Sequence, residues 1–339
     1  MTDYEFHLRL LRRARTMEPD LAREMLRGYE ELRRQMSAAE LERLIRTAGI
    51  DRIVSDQMSD EAIAEAFARL RAELQETYRK AALRAAFDTP RPPVAFNVLD
   101  PRVIDAIRAL DSRVMRALSE SVRETFRQEV ADGLAAGVNP RTIANRSLET
   151  IGLAPNQAAA VRRFREELET GDRAALQRML QRGVLKRPDG SLLTNRSHAQ
   201  GAGLTVRQME MLRKKLGREP LTAHQIETLT KSYQRRLQAW NVESNARTAA
   251  LDSLKLAQRQ NWENAIERGI IARSELFRRW VAVGGKTGDG RNRPEHLEMH
   301  GEEAHIDSPY SNGQTTPGDS DFNCRCGERF FRKRAALAA

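Results

Sequence analysis

The two cysteines of this 339-residue chain stand one residue apart, in Asn323-Cys324-Arg325-Cys326, close to its C-terminal end. In extended backbone, residues two apart project to the same side, so both sulfurs can face one ion or one partner. Upstream, His296 and His300 are four apart and follow Pro294, a residue suited to the first turn of a helix. That spacing puts both imidazoles on one helical face. Two sulfurs and two imidazole nitrogens suit tetrahedral zinc, so one expectation is a structural zinc held by His296, His300, Cys324 and Cys326. His305 could take the place of His300, and C-x-C is not the C-x2-C spacing of a standard finger. A second reading makes both thiols small buried apolar groups, with His296 and the Arg291/Arg293 pair bonded to backbone in a loop-rich unit. A disulfide is the third, and reducing cytosol disfavours it.

Catalytic readings of the same residues are thin. Glu295, His296 and Asp289 could be arranged as a hydrolase, and Cys324 with His296 as nucleophile and base, but such pairings recur by chance in any loop that carries histidine. "GGKTGDG" at 284–290 places Lys286-Thr287 after glycine, yet it lacks the first half of a phosphate-binding loop and no helix clearly follows. The expectation is binding without enzymatic chemistry.

These residues need a scaffold, and the composition says which kind. Hydrophobic residues make up 40%, aromatic residues 5% and charged residues 31%, the profile of long helices with charged faces. The formal charge is +10, with arginines and lysines scattered among acids. Most of that charge reads as solvated helix surface, while the sum favours life beside a polyanion. No charged leader precedes an apolar core and no apolar run approaches ~18 residues, so nothing is expected to direct the chain into or across a membrane.

Along residues 4–86 apolar residues fall at helical spacing, as in Leu21, Met25, Leu32 and Met36, and Ser37 to Glu40 reads as a capping box. The prolines at 90, 92 and 93 end this N-terminal helical region, residues 1–88. A helical body, residues 95–268, opens with Asp100 as N-cap and Pro101 in the first turn. A stripe from Val103 through Ile107, Leu110, Val114, Leu118, Val122 and Phe126 to Val130 predicts one helix to about Ala135. Gly137 then suits a left-handed turn and Asn139-Pro140 caps the next helix, a helix-turn-helix look that reads as a packing device. Residues 186–203 form a polar, glycine-bearing excursion. Capping boxes at Thr205–Gln208 and Thr222–Gln225 open further helices; one carries Leu229, Tyr233, Leu237 and Trp240, and a last one runs through Ala250, Leu254, Ala257 and Trp262 to about Arg268. Residues 269–339 change texture, with clustered glycines and short extended pieces at 276–283 and 324–331. The fold class is therefore mainly α, long antiparallel helices carrying a small C-terminal α+β, loop-rich module.

Within that module Trp280, then Asp289, Arg291, Arg293 and His296, then Gly301, then Pro317-Gly318, and finally Asn323, Cys324, Arg325 and Cys326 follow an order and spacing that resembles the signature of the phage Mu F-like minor head proteins, also called phage head morphogenesis proteins. More loosely, "GLAAG", "NPRTIA" and "ARTAALDSL" resemble landmarks of that family upstream, so the likeness spans roughly 95–331. It implies a minor capsid protein of a phage or prophage, made in the host cytoplasm and placed in the virion head near the portal vertex. The partners it implies are the portal protein and other head or scaffold proteins. The role it implies is head morphogenesis, DNA packaging or DNA ejection, with packaged DNA touched without sequence specificity. Some relatives carry a toxin domain after this module; with Cys326 so near the end of this sequence, no such domain is expected here. Two rivals remain: a basic nucleic-acid-binding protein or nuclease, and an effector carried by the Mu F-like module.

Overall fold

The computed structural model describes residues 2–85, 100–172, 206–215, 219–282, 293–319 and 324–333. Over these residues the chain is mainly helical. Six helices come first: α1 Asp3–Arg15, α2 Glu18–Gln35, α3 Ala38–Thr47, α4 Ile50–Gln57, α5 Asp60–Ala66 and α6 Ala68–Ala85. Then follow α7 Pro101–Ala135, α8 Pro140–Thr150, α9 Pro155–Thr170, α10 Val206–Lys215, α11 Ala223–Glu267 and the short α12 Pro294–Glu298, with strands β1 Leu276–Val281, β2 Glu303–His305 and β3 Gly327–Arg332. The expected linker at 88–95, the excursion at 186–203, the glycine loop at 284–290 and the cap at Thr205 lie outside the described residues. No helix among the described residues is long and apolar enough to cross a membrane.

The helix starts follow their caps. Asp100 Oδ1 accepts the Arg102 N–H at 3.0 Å as α7 begins, and Asn139 Oδ1 accepts the Arg141 N–H at 2.9 Å as α8 begins. Thr222 and Gln225 exchange both bonds of a capping box ahead of α11. Gly137 adopts φ 64°, the left-handed turn that only glycine takes without strain. One expectation is corrected. The two helices expected across 222–268 are one helix, because no glycine or proline interrupts 223–267.

The chain divides into two compact units, and neither follows the three sequence segments 1–88, 95–268 and 269–339. One unit draws on Tyr29–Ile63 and Leu118–Val242. There α3 packs on α8, and apolar clusters form around Phe164, Leu168, Leu212 and Leu229 and around Leu153, Ala158 and Val161. The carbonyls at the end of α8 and in the turn after it, which no helix can satisfy, are taken by side chains: Arg33 bonds Leu148 O and Ile151 O, Gln238 bonds Ile151 O, and Asn241 bonds Gly152 O.

The other unit draws on Met1–Gly28, Ala64–Ala117 and Glu243–Ala339, so it joins the first helix of the chain to the last strand. Its sheet is antiparallel with order β2-β1-β3. Leu276, Arg278 and Trp280 alternate along β1 onto one buried face, as strand periodicity requires. The sheet gains a core by docking onto α11: Trp262 stacks on Phe330 with ring centroids 6.2 Å apart, and Ala265, Ile271, Leu276 and Ile306 complete that cluster.

Candidate metal centre

A second cluster on the sheet gathers Trp280, Ala282, Met299, Ala304, Tyr310, Cys324 and Cys326. Trp280, on β1, is fully buried; its ring meets the His296 imidazole edge-on at 5.5 Å and the Tyr310 ring at 5.2 Å. Arg293 stands at the N-cap of α12 and Pro294 at its first turn, which aims His296 inward at this wall. Gly301 then takes φ 89° and donates its N–H to Trp280 O at 2.9 Å, a reversal that returns the chain into β2. The wall, the helix and the reversal together fix where the imidazole sits.

Cys324 and Cys326 lie just before β3, and both sulfurs face that imidazole. Cys324 Sγ is 3.4 Å and Cys326 Sγ 3.6 Å from His296 Nδ1. The donor atoms of His296, Cys324 and Cys326 all lie within 4.8 Å of one another, and all three residues are buried. In a tetrahedral zinc site, Zn–S of about 2.3 Å and Zn–N of about 2.0–2.1 Å put a sulfur about 3.5–3.6 Å from a nitrogen. The two N···S separations lie close to that edge, so these three residues could hold a metal ion.

The electrostatics suit the same use. The Cys326 N–H donates to Cys324 Sγ at 3.4 Å. Hydrogen bonding with the Cys326 side chain draws the Cys324 thiol down to about 6 against the opposing effect of burial, and Lys255 and His296 add to the pull. The bond with Cys324, together with burial, pushes the Cys326 thiol up. Behind the thiols Lys255 is buried on α11, its Nζ 3.2 Å from Asp252 Oδ1 and 2.6 Å from Pro317 O. Burial works against its charge, but Asp252 and the cysteines prevail and the ammonium is held above its ordinary range. Arg113 of α7 holds the far oxygen of Asp252 at 2.8 Å and reaches Asp319 at 3.4 Å. A buried cation beside a thiol pair favours thiolate, the form that binds metal.

Of the residues singled out from sequence, the structure brings together Trp280, His296, Cys324 and Cys326, with Gly301 as the turn and Pro317 as the carbonyl that takes Lys255. Arg325 lies half-buried between the cysteines and Arg293 is exposed. Asp289, Arg291 and Asn323 lie outside the described residues. His300 is not in the cluster: α12 ends at Glu298, so the four-residue spacing never completes a helical face. Its Nδ1 accepts the Ala282 N–H at 3.2 Å instead. His305 is occupied as well, its Nε2 3.0 Å from Arg273 O.

Sequence reasoning missed Lys255, Asp252 and Arg278. Two left a signal: Lys255 falls among Leu251, Leu254 and Ala257, and Arg278 falls on the same strand face as Leu276 and Trp280. A charge on a buried face needs a partner. Arg278 finds Glu328 at 2.8 Å, and Tyr310 donates to the same carboxylate at 3.1 Å. No family model, no curated protein and no solved structure matches this chain.

Proposed function

We propose that this chain is a phage or prophage minor head protein of the Mu F-like kind, which joins the head near the portal vertex and assists head assembly, DNA packaging or DNA ejection by binding. The observation that carries the reading is convergence. Of the residues on which the resemblance rests, Trp280, His296, Gly301, Pro317, Cys324 and Cys326 are spread over 47 positions yet meet in one small module, where each has a physical task. A chance match of residue types would not be expected to assemble in this way.

In this reading the cluster holds a structural zinc through His296 Nδ1 and the two thiolates. Bound there, zinc would cross-link the short helix α12 to the segment before β3. The module then forms a rigid knob for contact with the portal protein or other head proteins, and the net charge of +10 lowers the repulsion of packaged DNA. The test is recovery of the tagged protein from infected cells with and without portal protein. The reading expects head association that is lost when portal is absent, and lost for a Cys324→Ser/Cys326→Ser variant. Association that persists without portal overturns the portal role.

A further inference from the structure

β1 and β3 set Arg279 directly opposite Arg329. Like charges opposite each other on neighbouring strands destabilise the pair, and β2 shows the alternative by setting Glu303 opposite the same Arg279. The missing counter-charge comes from the far end of the chain. Asp3, in the first turn of α1, accepts from Arg329 NH1 at 2.6 Å through Oδ1 and from Arg279 NH1 at 3.2 Å through Oδ2. Thr2 and Glu5 form a capping box that fixes where Asp3 sits. Further along α1, Phe6 packs on Val281, and Leu10 lies so close to β3 that a Cβ on Gly327 would stand 2.7 Å from its Cδ2. Thus α1 covers both strands with an apolar row, and one carboxylate sits between two cations at its end.

Asp3, Arg279 and Arg329 keep 19%, 32% and 30% of their side-chain surface in solvent, so salt can reach them. A sheet built to stand alone would carry an acid at position 329, as β2 does at 303. Here Glu303 shares Arg279, its Oε1 3.2 Å from the arginine Nε, while the carboxylate that Arg329 meets belongs to the helix.

We propose that α1 is a strap closed over the C-terminal sheet by an electrostatic latch, the Asp3 carboxylate between Arg279 and Arg329, and that it opens when the latch is screened or neutralised. This stands apart from the role in phage heads and from the metal centre. With the latch open, Arg279 keeps only Glu303 and Arg329 faces it without the carboxylate that bridged the two, which weakens the β1–β3 pairing and favours closure again.

Amide exchange of the full chain, followed by mass spectrometry, tests this. Raising salt from about 0.05 M to about 1 M shrinks the screening length to about 3 Å. In the parent this should speed exchange in residues 3–15 roughly tenfold, the factor that about 1.4 kcal/mol produces, while α7 is unchanged. Asp3→Asn should show the fast rate at both salt concentrations, with β3 amides less protected. Arg329→Glu should free α1 while β1 and β3 stay protected, because the acid then faces Arg279. Exchange in α1 that ignores salt in the parent overturns the latch, as does an Asp3→Asn rate equal to the parent's. If Asp3→Asn fails to fold, the parent's salt series decides alone.

Discussion

Replacing Arg278 by methionine tests how the sheet holds the loops around the candidate metal centre. The Arg278 and Glu328 side chains are almost wholly buried, at 1% and 0% exposure. The guanidinium bonds Glu328 Oε1 at 2.8 Å, His305 O at 3.3 Å, and the carbonyls of Thr315 and Ser308, and it lies 4.7 Å from the centre of the Tyr310 ring. Arg278→Met fills similar space but leaves a buried carboxylate whose second oxygen already lacks a partner among the described residues. Breaking a buried ion pair from one side costs about 3–5 kcal/mol. The stranded carbonyls add to this, by about 1–3 kcal/mol for each that water fails to reach. For a unit of this size, at about 2–4 °C per kcal/mol, 3–5 kcal/mol alone lowers the melting temperature by roughly 6–20 °C. Melting and urea midpoints would be measured for Arg278→Met, Glu328→Gln and the double variant. Removing both charges leaves no bare ion, so the double variant should be more stable than Arg278→Met alone. A single variant within about 1 kcal/mol of the parent, or a double variant as costly as both singles summed, refutes the reasoning.

Other consequences are simpler to read. Gly28→Ala in α2 would ordinarily gain about 1 kcal/mol of helix propensity. Here the new methyl would stand 2.3 Å from the buried Phe67 ring, so the sign should reverse to a loss of about 1–3 kcal/mol in a urea midpoint. Asp3 and Glu303 are both held below the ordinary carboxylate range, Asp3 by Arg329 and Arg279 against its burial, Glu303 by Arg279 and Lys333. The unfolded chain therefore binds protons more readily, and stability from these groups is complete at neutral pH and lost as pH falls below about 4. An acid melting series should show this loss, and it should shrink in Asp3→Asn. A thiol reagent should find neither cysteine in the metal-loaded protein and both after chelation; reaction unaffected by chelator would count against the centre.

The helical scaffold was legible because its signals are local. Asp100-Pro101, Asn139-Pro140 and Thr222–Gln225 each announce a helix start within a few residues, and the stripe from Val103 to Val130 lies on α7. The break expected near Trp240 had no such signal behind it, and the helix runs through. The pairing of Cys324 with Cys326 followed from their spacing, while the spacing of His296 and His300 gave only a shared helical face. His300 did not follow, since the spacing argument needs a full turn that α12 lacks. The contacts least visible in sequence are the longest: Asp3 meets Arg329 across 326 residues and Arg279 across 276. Nothing local in the first helix marks it as the cover of the last strand.

The claim at the centre of the account is that His296, Cys324 and Cys326 form a metal site that fixes the terminal module. Metal content per chain, measured on protein purified without added metal beside Cys324→Ser/Cys326→Ser, tests it directly. The account predicts about one zinc per parent chain and none in the variant, since the three donor atoms lie within 4.8 Å of one another and can share one ion. A parent chain that carries no metal, and takes up none when zinc is supplied, contradicts it.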